Sequence, residues 1–223
     1  MIIGIISDTH NLLREEVTDL LKPCDYILHG GDISRQTILD QLNQIAPVKV
    51  VRGNNDKEWA ENLPDHLDFE LSGVRFYMTH KKKDLPENLS PYDIVIIGHS
   101  HQYMNTWIDY PDGHRTLLVN PGSCGPRRFY QPITMAMLKI EEDGWIVERI
   151  EIPYVSMKTA PTIDNIDVKA VIETVVNETQ KGWAVERIAG KHKLEVSLVE
   201  QIVRLYVTHP GVTVDGIMAK MGL

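Results

Sequence analysis

Five short apolar stretches in the first 101 residues each end in side chains that can bind a metal ion. The stretches are IIGIIS, DYILHGG, VKVVRG, VRFYMT and DIVIIG. The side chains that follow them are Asp8 and His10, Asp32, Asn54, His80, and finally His99 and His101. A single Asp or His at such a position is ordinary turn chemistry, but the same kind of residue after five successive stretches is better explained by a metal site.

The number of these side chains indicates two metal ions. Seven donors are too many for one transition metal that keeps an open position, and they suit two ions bridged by Asp32. Carboxylate, amide and imidazole donors without a thiolate favour manganese, with iron, zinc or nickel as alternatives, over calcium or copper(I). Two divalent ions carry four positive charges, of which Asp8, Asp32 and a bridging hydroxide would cancel three. The remaining charge suits an anionic phosphate, and two metals can clamp both oxygens of an in-line displacement.

The elements that position these residues are predicted to be buried strands of an α/β fold. The stretches are rich in Ile and Val and continuous rather than alternating, as in strands covered on both faces. Helical patterns between the early stretches cover about residues 13–21 and 36–45, and Ser34 is a candidate N-cap for the second. Strand, helix, strand order predicts a parallel sheet whose carboxyl ends bring the donors together.

The ordered blocks SDTH, HGGD, RGNND, MTH and GHSH, followed by NPGS, resemble the metallophosphoesterase (calcineurin-like phosphoesterase) superfamily. The resemblance covers about residues 1–155 and is greatest to the small YfcE-type phosphodiesterases. It implies a four-layer αββα sandwich. Two later stretches fit its hairpins, with Asp-Gly turn signals at 112–113 and 143–144.

The resemblance also implies which residues share each metal. One ion would be held by Asp8, His10, Asp32 and His101, and the other by Asp32, Asn54, His80 and His99. NPGS would support the site through backbone groups, and Arg127 would reach the substrate phosphate. Asn55 departs from the pattern, because many members have a His there that stabilises the transition state or protonates the leaving group. We place Asn55 beside the substrate.

Two other basic features have alternative interpretations. Residues 81–84 read KKKD directly after His80. We expect a solvated loop there, and contact with an extended substrate is the alternative. His29 precedes Gly-Gly-Asp, and it either supports a metal ligand or is an ordinary core histidine with satisfied hydrogen bonds.

A second, helical domain is predicted beyond the metal-binding domain, with boundaries of 1–158 and 159–223. Valine and isoleucine at 168, 171, 172, 175 and 176 form one helical stripe. A short helix ending at Gly190 follows, and then a longer one for which Ser197 and Glu200 form a capping-box pattern. This arrangement resembles a helix-turn-helix, and a final short helix closes the chain.

Charge argues against nucleic acid as a partner of this helical domain. Residues 160–223 hold seven Lys or Arg and eight Asp or Glu, a net charge of −1, and the whole chain carries −8. DNA affinity requires neutralisation of phosphates. We therefore expect a module for packing or self-association, with a possible homo-oligomer, rather than a DNA-bound regulator.

Cysteine content and the N-terminal residues indicate a cytoplasmic protein. The chain has two cysteines, Cys24 and Cys124, with no CxxC pair, which favours a reducing compartment. The N-terminal apolar stretch is interrupted at Asp8, too early for a signal peptide or a membrane span.

The sequence therefore predicts a dinuclear-metal phosphodiesterase acting on a small phosphoester or nucleotide, with the bridging hydroxide as nucleophile. A phosphomonoesterase, a nucleotide-anhydride hydrolase and a non-catalytic scaffold of the same fold are the alternatives. The scaffold is disfavoured because buried Asp and His side chains are costly without a metal.

Overall fold

The computed structural model describes residues 1–127, 131–153, 167–209 and 211–221. The chain forms two compact units, Met1–Tyr154 and Val155–Leu223. In chain order the strands are β1 (Ile2–Ile6), β2 (Tyr26–His29), β3 (Val48–Val50), β4 (His66–Leu71), β5 (Val74–Thr79), β6 (Ile94–Ile96), β7 (Tyr103–Asp109), β8 (Arg115–Pro121), β9 (Ile133–Glu141) and β10 (Gly144–Ile152). The helices are α1 (Glu15–Leu21), α2 (Gln36–Asn43), α3 (Val168–Gln180), α4 (Val185–His192), α5 (Val196–Thr208) and α6 (Val214–Met221).

The first unit contains two five-stranded mixed sheets. The first sheet has the order β10-β9-β1-β2-β3, and the second has the order β4-β5-β6-β8-β7. β1, β2 and β3 are parallel, as are β5, β6 and β8, while the edge hairpins and the β1–β9 pair are antiparallel. The predicted strands are thus confirmed, and the two predicted hairpins form β7–β8 and β9–β10.

Strand β1 shows why its sequence is apolar at nearly every position. Ile3 and Ile5 are fully buried between the two sheets, where they share a cluster with Phe76 of the second sheet. Ile6 belongs instead to the cluster formed with α1 and α2, which cover the outer face of the first sheet. Because both faces of the strand are buried, apolar residues occupy successive positions instead of alternating with polar ones.

The outer face of the second sheet is covered by the segment between β5 and β6. Leu85, Leu89 and Tyr92 pack there against a cluster that includes Val95 and Leu118. This segment begins with a single 3₁₀ turn at Lys82–Asp84 rather than an α-helix. Together with α1 and α2 on the other side, it completes a layered α/β arrangement around the two sheets, as the sequence predicts.

Helix α2 begins at Gln36 as predicted, but its predicted N-cap is wrong by one residue. Arg35, not Ser34, occupies the N-cap position, and no side chain caps the helix. Ser34 instead has a left-handed backbone, with φ of 79°, and its N–H donates to Asp56 Oδ1 at 2.7 Å. The loop before the helix is therefore shaped by its contact with Asp56 rather than by a local cap.

The second unit consists of α3 to α6 around a small apolar core. Its buried residues include Ile172, Val175, Ile188, Val199, Ile202 and Ile217. The apolar stripe predicted for α3 is confirmed. The predicted stop at Gly190 is wrong, because α4 continues to His192 and ends at Lys193 in the left-handed conformation.

The predicted capping box of α5 is also misplaced. Glu195 is the N-cap residue and the helix begins at Val196, which places Ser197 inside the first turn. None of the helices within the described residues has the length and apolarity needed to cross a membrane.

Candidate metal centre

Five of the seven predicted metal ligands lie on loops after the strands in a backbone conformation that is uncommon for residues other than glycine. Asp8, His10, Asp32, His99 and His101 all have positive φ, between 44° for His10 and 71° for His99. Such residues cost about 1–3 kcal/mol each and concentrate at functional sites. The loops therefore turn sharply at the ligands, which aims the side chains at one place.

Asp8, His10 and His101 form the first ligand group. Asp8 Oδ1 lies 3.1 Å from His101 Nε2 and 3.7 Å from His10 Nε2. The two imidazoles approach each other to 3.2 Å between their Nε2 atoms. Asp8 is fully buried and His101 is nearly so. These three side chains present one carboxylate oxygen and two ring nitrogens to a common point, which is a suitable arrangement for a divalent cation.

Asp32, His80 and His99 form the second ligand group. Their potential ligand atoms all lie within 4.8 Å of one another, as in the first group. His80 Nε2 is 3.4 Å from Asp32 Oδ1, while its Nδ1 is 2.7 Å from the carbonyl oxygen of Gly30. A donated hydrogen bond to that carbonyl fixes the tautomer and leaves Nε2 free to bind a metal. Asn54 is exposed next to this group, on the wall of a cleft that His80 also lines.

Asp32 connects the two groups through its two carboxylate oxygens. Oδ1 faces His80 of the second group, and Oδ2 lies 3.8 Å from His10 Nε2 of the first. A carboxylate placed in this way can bind one ion with each oxygen. The structure thus brings together the six predicted Asp and His ligands around Asp32.

The pKa values of the site show an environment that favours positive charge. Burial alone would raise the pKa of Asp8, but the adjoining imidazole of His101 and its charge hold it below its usual value. Burial likewise opposes ionisation of Asp32, and His80 and Asn55 overcome it and lower the pKa. Burial would lower the pKa of His80, yet the carboxylates of Asp32 and Asp8 raise it. The carboxylates are therefore ionised and draw cations.

Buried polar atoms without a hydrogen-bond partner provide the test of whether metals fit here. Among the side chains that the structure describes, these atoms include Asp8 Oδ1 and His80 Nε2. An unsatisfied buried polar atom costs about 1–3 kcal/mol, and more when it is charged. Both atoms point at the places where a cation would lie, so the residues present fit a pair of divalent ions.

Asp56 is an important residue that the sequence analysis missed. It is buried, and its two carboxylate oxygens accept hydrogen bonds from four backbone N–H groups, those of Asp32, Ile33, Ser34 and Gly53, at 2.7–3.0 Å. It thereby ties the loop that carries Asp32 to the loop that carries Asn54. A Cβ on Gly53 would collide with the backbone of Asp32, which explains the glycine in this block.

His29 links the two loops that carry the aspartate ligands. Its Nε2 lies 3.1 Å from Thr9 Oγ1, and its Nδ1 accepts from the N–H of Gly31 at 3.1 Å. Full burial lowers the pKa of His29 to about 4, so the ring is neutral near pH 7. His29 therefore supports the ligand loops from within the core, and the two interpretations left open by the sequence apply together.

The NPGS segment contacts the ligand loops, as the resemblance implies. Asn120 Nδ2 donates to the carbonyl oxygen of Gly98 at 2.8 Å, and Ser123 Oγ donates to that of Asp8 at 2.9 Å. Both contacts are made by side chains, whereas the resemblance implies support by backbone groups.

The two residues predicted to contact substrate have different surroundings. Asn55 donates from its backbone N–H to Asp32 Oδ1 at 2.7 Å and from Nδ2 to Asp32 Oδ2 at 2.6 Å. Its side chain is thus turned toward Asp32. Arg127 is exposed at the end of the described part of its loop, since residues 128–130 lie outside it.

Comparison with known proteins places this site in a family. Residues 1–143 match the calcineurin-like phosphoesterase superfamily domain. A probable metallophosphoesterase of Methanothermobacter thermautotrophicus is 31% identical over 152 residues, which cover 61% of this chain and 85% of that protein.

Solved structures share the fold at lower identity. Vps29 of Chaetomium thermophilum has a TM-score of 0.53 and 19% identity, with 70% of this chain and 100% of that chain covered. The phosphoesterase YfcE of E. coli has a TM-score of 0.50 and 24% identity, with 69% and 100% covered. Because the matching domain covers most of its residues, the chain belongs to the calcineurin-like phosphoesterase superfamily.

Proposed function

We propose that the protein is a phosphodiesterase that depends on two divalent metal ions. The observation that carries this proposal is the position of Asp32, whose two oxygens face two separate groups of ligands. In this assignment one ion is held by Asp8, His10, Asp32 and His101, and the other by Asp32, Asn54, His80 and His99.

Two ions bound there would lower the pKa of a water that attacks phosphorus and would offset the charge of the phosphate. The protein's own contribution is to hold the ligands in place. Asp56 fixes the Asp32 loop through four backbone hydrogen bonds, and Gly30 fixes the ring of His80. Arg127 is assigned to the substrate phosphate. Both thiols are free and buried, which fits a reducing compartment such as the cytoplasm.

The absence of a histidine at position 55 predicts a preference among substrates. The amide of Asn55 can donate a hydrogen bond, but it cannot act as a general acid near neutral pH. General acid catalysis contributes typically about 10²–10⁴-fold. We therefore infer that the enzyme favours diesters with good leaving groups, such as aryl esters, and is slow with alkyl monoesters.

Elemental analysis of the purified protein, combined with a substrate panel, tests this proposal. We expect about two equivalents of metal and hydrolysis of bis(p-nitrophenyl) phosphate that is lost with a chelator and restored by Mn²⁺, Fe²⁺, Zn²⁺ or Ni²⁺. Higher kcat/KM for a phosphate monoester or a nucleoside triphosphate would favour the alternative hydrolases. Full metal content without hydrolysis of any of these esters would indicate a scaffold instead.

A further inference from the structure

A cleft of about 440 Å³ opens beside the second ligand group. His80 and Asn54, two of the proposed ligands, form part of its wall, so the cleft is continuous with the place where the phosphate would bind. Its volume is within the range of small-molecule sites, about 300–1,000 Å³. The remaining wall comes mainly from the loops before β4 and after β5, and its charged members apart from Asp56 are Arg52, Asp65, Lys81 and Asp84.

The charged side chains of the cleft differ in how much hydrogen-bonding capacity they have left. Asp56 also lines it, but both of its oxygens already accept backbone N–H groups. Asp65 and Asp84 are exposed to the cleft. Two carboxylates and two cations thus surround one small volume, and both acceptors and donors are available to a ligand.

Lys81 differs from the two lysines that follow it. It is half-buried and lines the cleft, whereas Lys82 and Lys83 are exposed and do not contribute to the wall. Lys81 directly follows His80, a proposed ligand of the second group, and lines the same cleft. Of the KKKD segment, Lys81 is therefore the residue positioned to meet a phosphoryl oxygen.

The wall of the cleft indicates the chemistry of what it binds. Apart from Gly53, every described residue around it has a polar side chain. An aryl group would find no apolar side chain there to pack against, whereas a hydroxyl group can donate to a carboxylate and accept from a cation at the same time. Small-molecule sites usually combine an apolar lining with a few polar groups, and this one departs from that pattern.

We propose that this cleft binds a hydroxyl-rich alkyl substituent of the phosphodiester, of the glycerol or sugar type, with Asp65 and Asp84 accepting from its hydroxyls and Lys81 and Arg52 binding the adjoining phosphoryl oxygens. This inference rests on the proposed function, because the cleft adjoins the phosphate position that the metals define. It concerns the ester group that stays bound rather than the one that leaves, so it determines substrate affinity, whereas leaving-group acidity determines the rate of the chemical step.

Two small probes separate recognition of hydroxyls from recognition of phosphate. Glycerol 3-phosphate and propyl phosphate have the same carbon chain and differ by two hydroxyls. Isothermal titration calorimetry on the Mn²⁺-loaded protein should give at least about fivefold tighter binding of glycerol 3-phosphate, since one net hydrogen bond contributes about 1 kcal/mol. Equal affinity for the two probes would overturn the proposal.

The Asp84→Ala variant tests the wall itself. It should weaken glycerol 3-phosphate by about fivefold through the lost acceptor, and leave propyl phosphate unchanged or tighter because a negative charge is gone. Glu87→Ala is the matched control, since Glu87 is exposed on the same segment and does not line the cleft. The assignment would be contradicted if Asp84→Ala lost equal affinity for the two probes, or if Asp84→Ala and Glu87→Ala lost equal affinity for glycerol 3-phosphate.

A second pair of variants tests the lysine. Lys81→Gln should weaken both probes by about tenfold, because charge-assisted hydrogen bonds to phosphate are roughly twice as strong as neutral ones. Lys83→Gln should change neither. Hydrolysis of bis(p-nitrophenyl) phosphate by the wild type is measured in parallel. An inactive or metal-free wild type would count against the proposed function. An active wild type that binds the two probes equally would count against the assignment of the cleft.

Discussion

The two compact units of the chain use their polar residues in opposite ways. Among the described residues, thirteen of the fourteen buried polar or charged side chains lie in the first unit, and Glu178 is the one in the second. Positive φ outside glycine shows the same division, with Lys193 the single described case in the second unit. The first unit therefore contains buried polarity and backbone strain, and the second is an ordinary helical module with an apolar core.

This difference indicates where the chemistry is located. Buried charge and left-handed backbone are unfavourable for stability, and they persist where function requires them. Glu178 does not contradict this view, because Lys191 Nζ lies 3.0 Å from its Oε1 and pairs its charge. Substitutions in the first unit should therefore change metal content and activity, whereas the helical unit should show no corresponding effect.

The largest effect is expected for Asp32→Asn. The amide would lose the charge that both ligand groups share, so both metals should be lost together and hydrolysis should fall by several orders of magnitude. Metal stoichiometry and kcat/KM measure this, with Asp143→Asn in the exposed β9–β10 turn as the control. Full metal content at the wild-type rate would exclude a bridging role.

The adjacent asparagines should separate metal binding from other roles. Asn54→Ala should lose one equivalent of metal and most activity, because it removes a proposed ligand. Asn55→Ala removes only the hydrogen bond from Nδ2 to Asp32, so it should retain both metals and lose less activity.

Asn55→His should improve hydrolysis of esters with poor leaving groups by restoring a general acid. Metal content measured beside the rates of all three variants decides the assignment. Depletion in Asn55→Ala with full occupancy in Asn54→Ala would reverse the two roles.

Asp56→Ala should destabilise the first unit by about 3 kcal/mol or more, since four N–H groups, three of them in buried hydrogen bonds, lose their acceptor. Asp56→Asn keeps one oxygen, so its free energy of unfolding should lie between those of Asp56→Ala and the wild type. The free energy of unfolding in urea, measured on the metal-free protein, separates this effect from metal loss. A change below about 1 kcal/mol would mean that water replaces the carboxylate.

The smallest effect is expected for DNA added to the full chain. Fluorescence anisotropy with duplex DNA at physiological salt should show no binding tighter than the micromolar range typical of non-specific association. The net charge of −1 over residues 160–223 is the reason. Sequence-selective nanomolar binding would break the comparison, because the helical unit would then have a function of its own.

The sequence predicts the fold of the first unit well because five of its strands, β1, β2, β3, β5 and β6, are each followed by a recognisable candidate ligand. β1 is a clear example, since Ile3, Ile5 and Ile6 are buried on both faces and Asp8 follows at once. The pattern of strand, loop and ligand is local, so it can be recognised without knowing which strands pair. The ends of helices were harder to predict. At Ser34 a contact with Asp56 overrides the local capping signal, and at Gly190 the helix continues to His192.

The sequence does not reveal Asp56 or the cleft, for a physical reason. Asp56 accepts hydrogen bonds from the backbone of residues 32–34, which are distant in sequence. Because these donors are backbone groups, the types of the residues that carry them do not indicate the contact. The cleft arises where the loop before β4 meets the segment after β5. The KKKD block marks that segment, but nothing in the sequence shows that it meets the loop before β4. The one available signal was the run of asparagines and aspartate in RGNND, where three polar residues follow a buried strand.

The position of β1 has a consequence for how the chain is made. It pairs with β2 on one side and with β9 on the other, where Ile3 is opposite Leu138. Most of the first unit must therefore leave the ribosome before the second edge of β1 can be filled. Until then an isoleucine-rich strand has an open row of N–H and C=O groups, which is a template for pairing with another chain. This protein is thus most prone to aggregate during its synthesis. A chaperone that covers Ile2–Ile6 until residue 141, the end of β9, has left the ribosome would protect it.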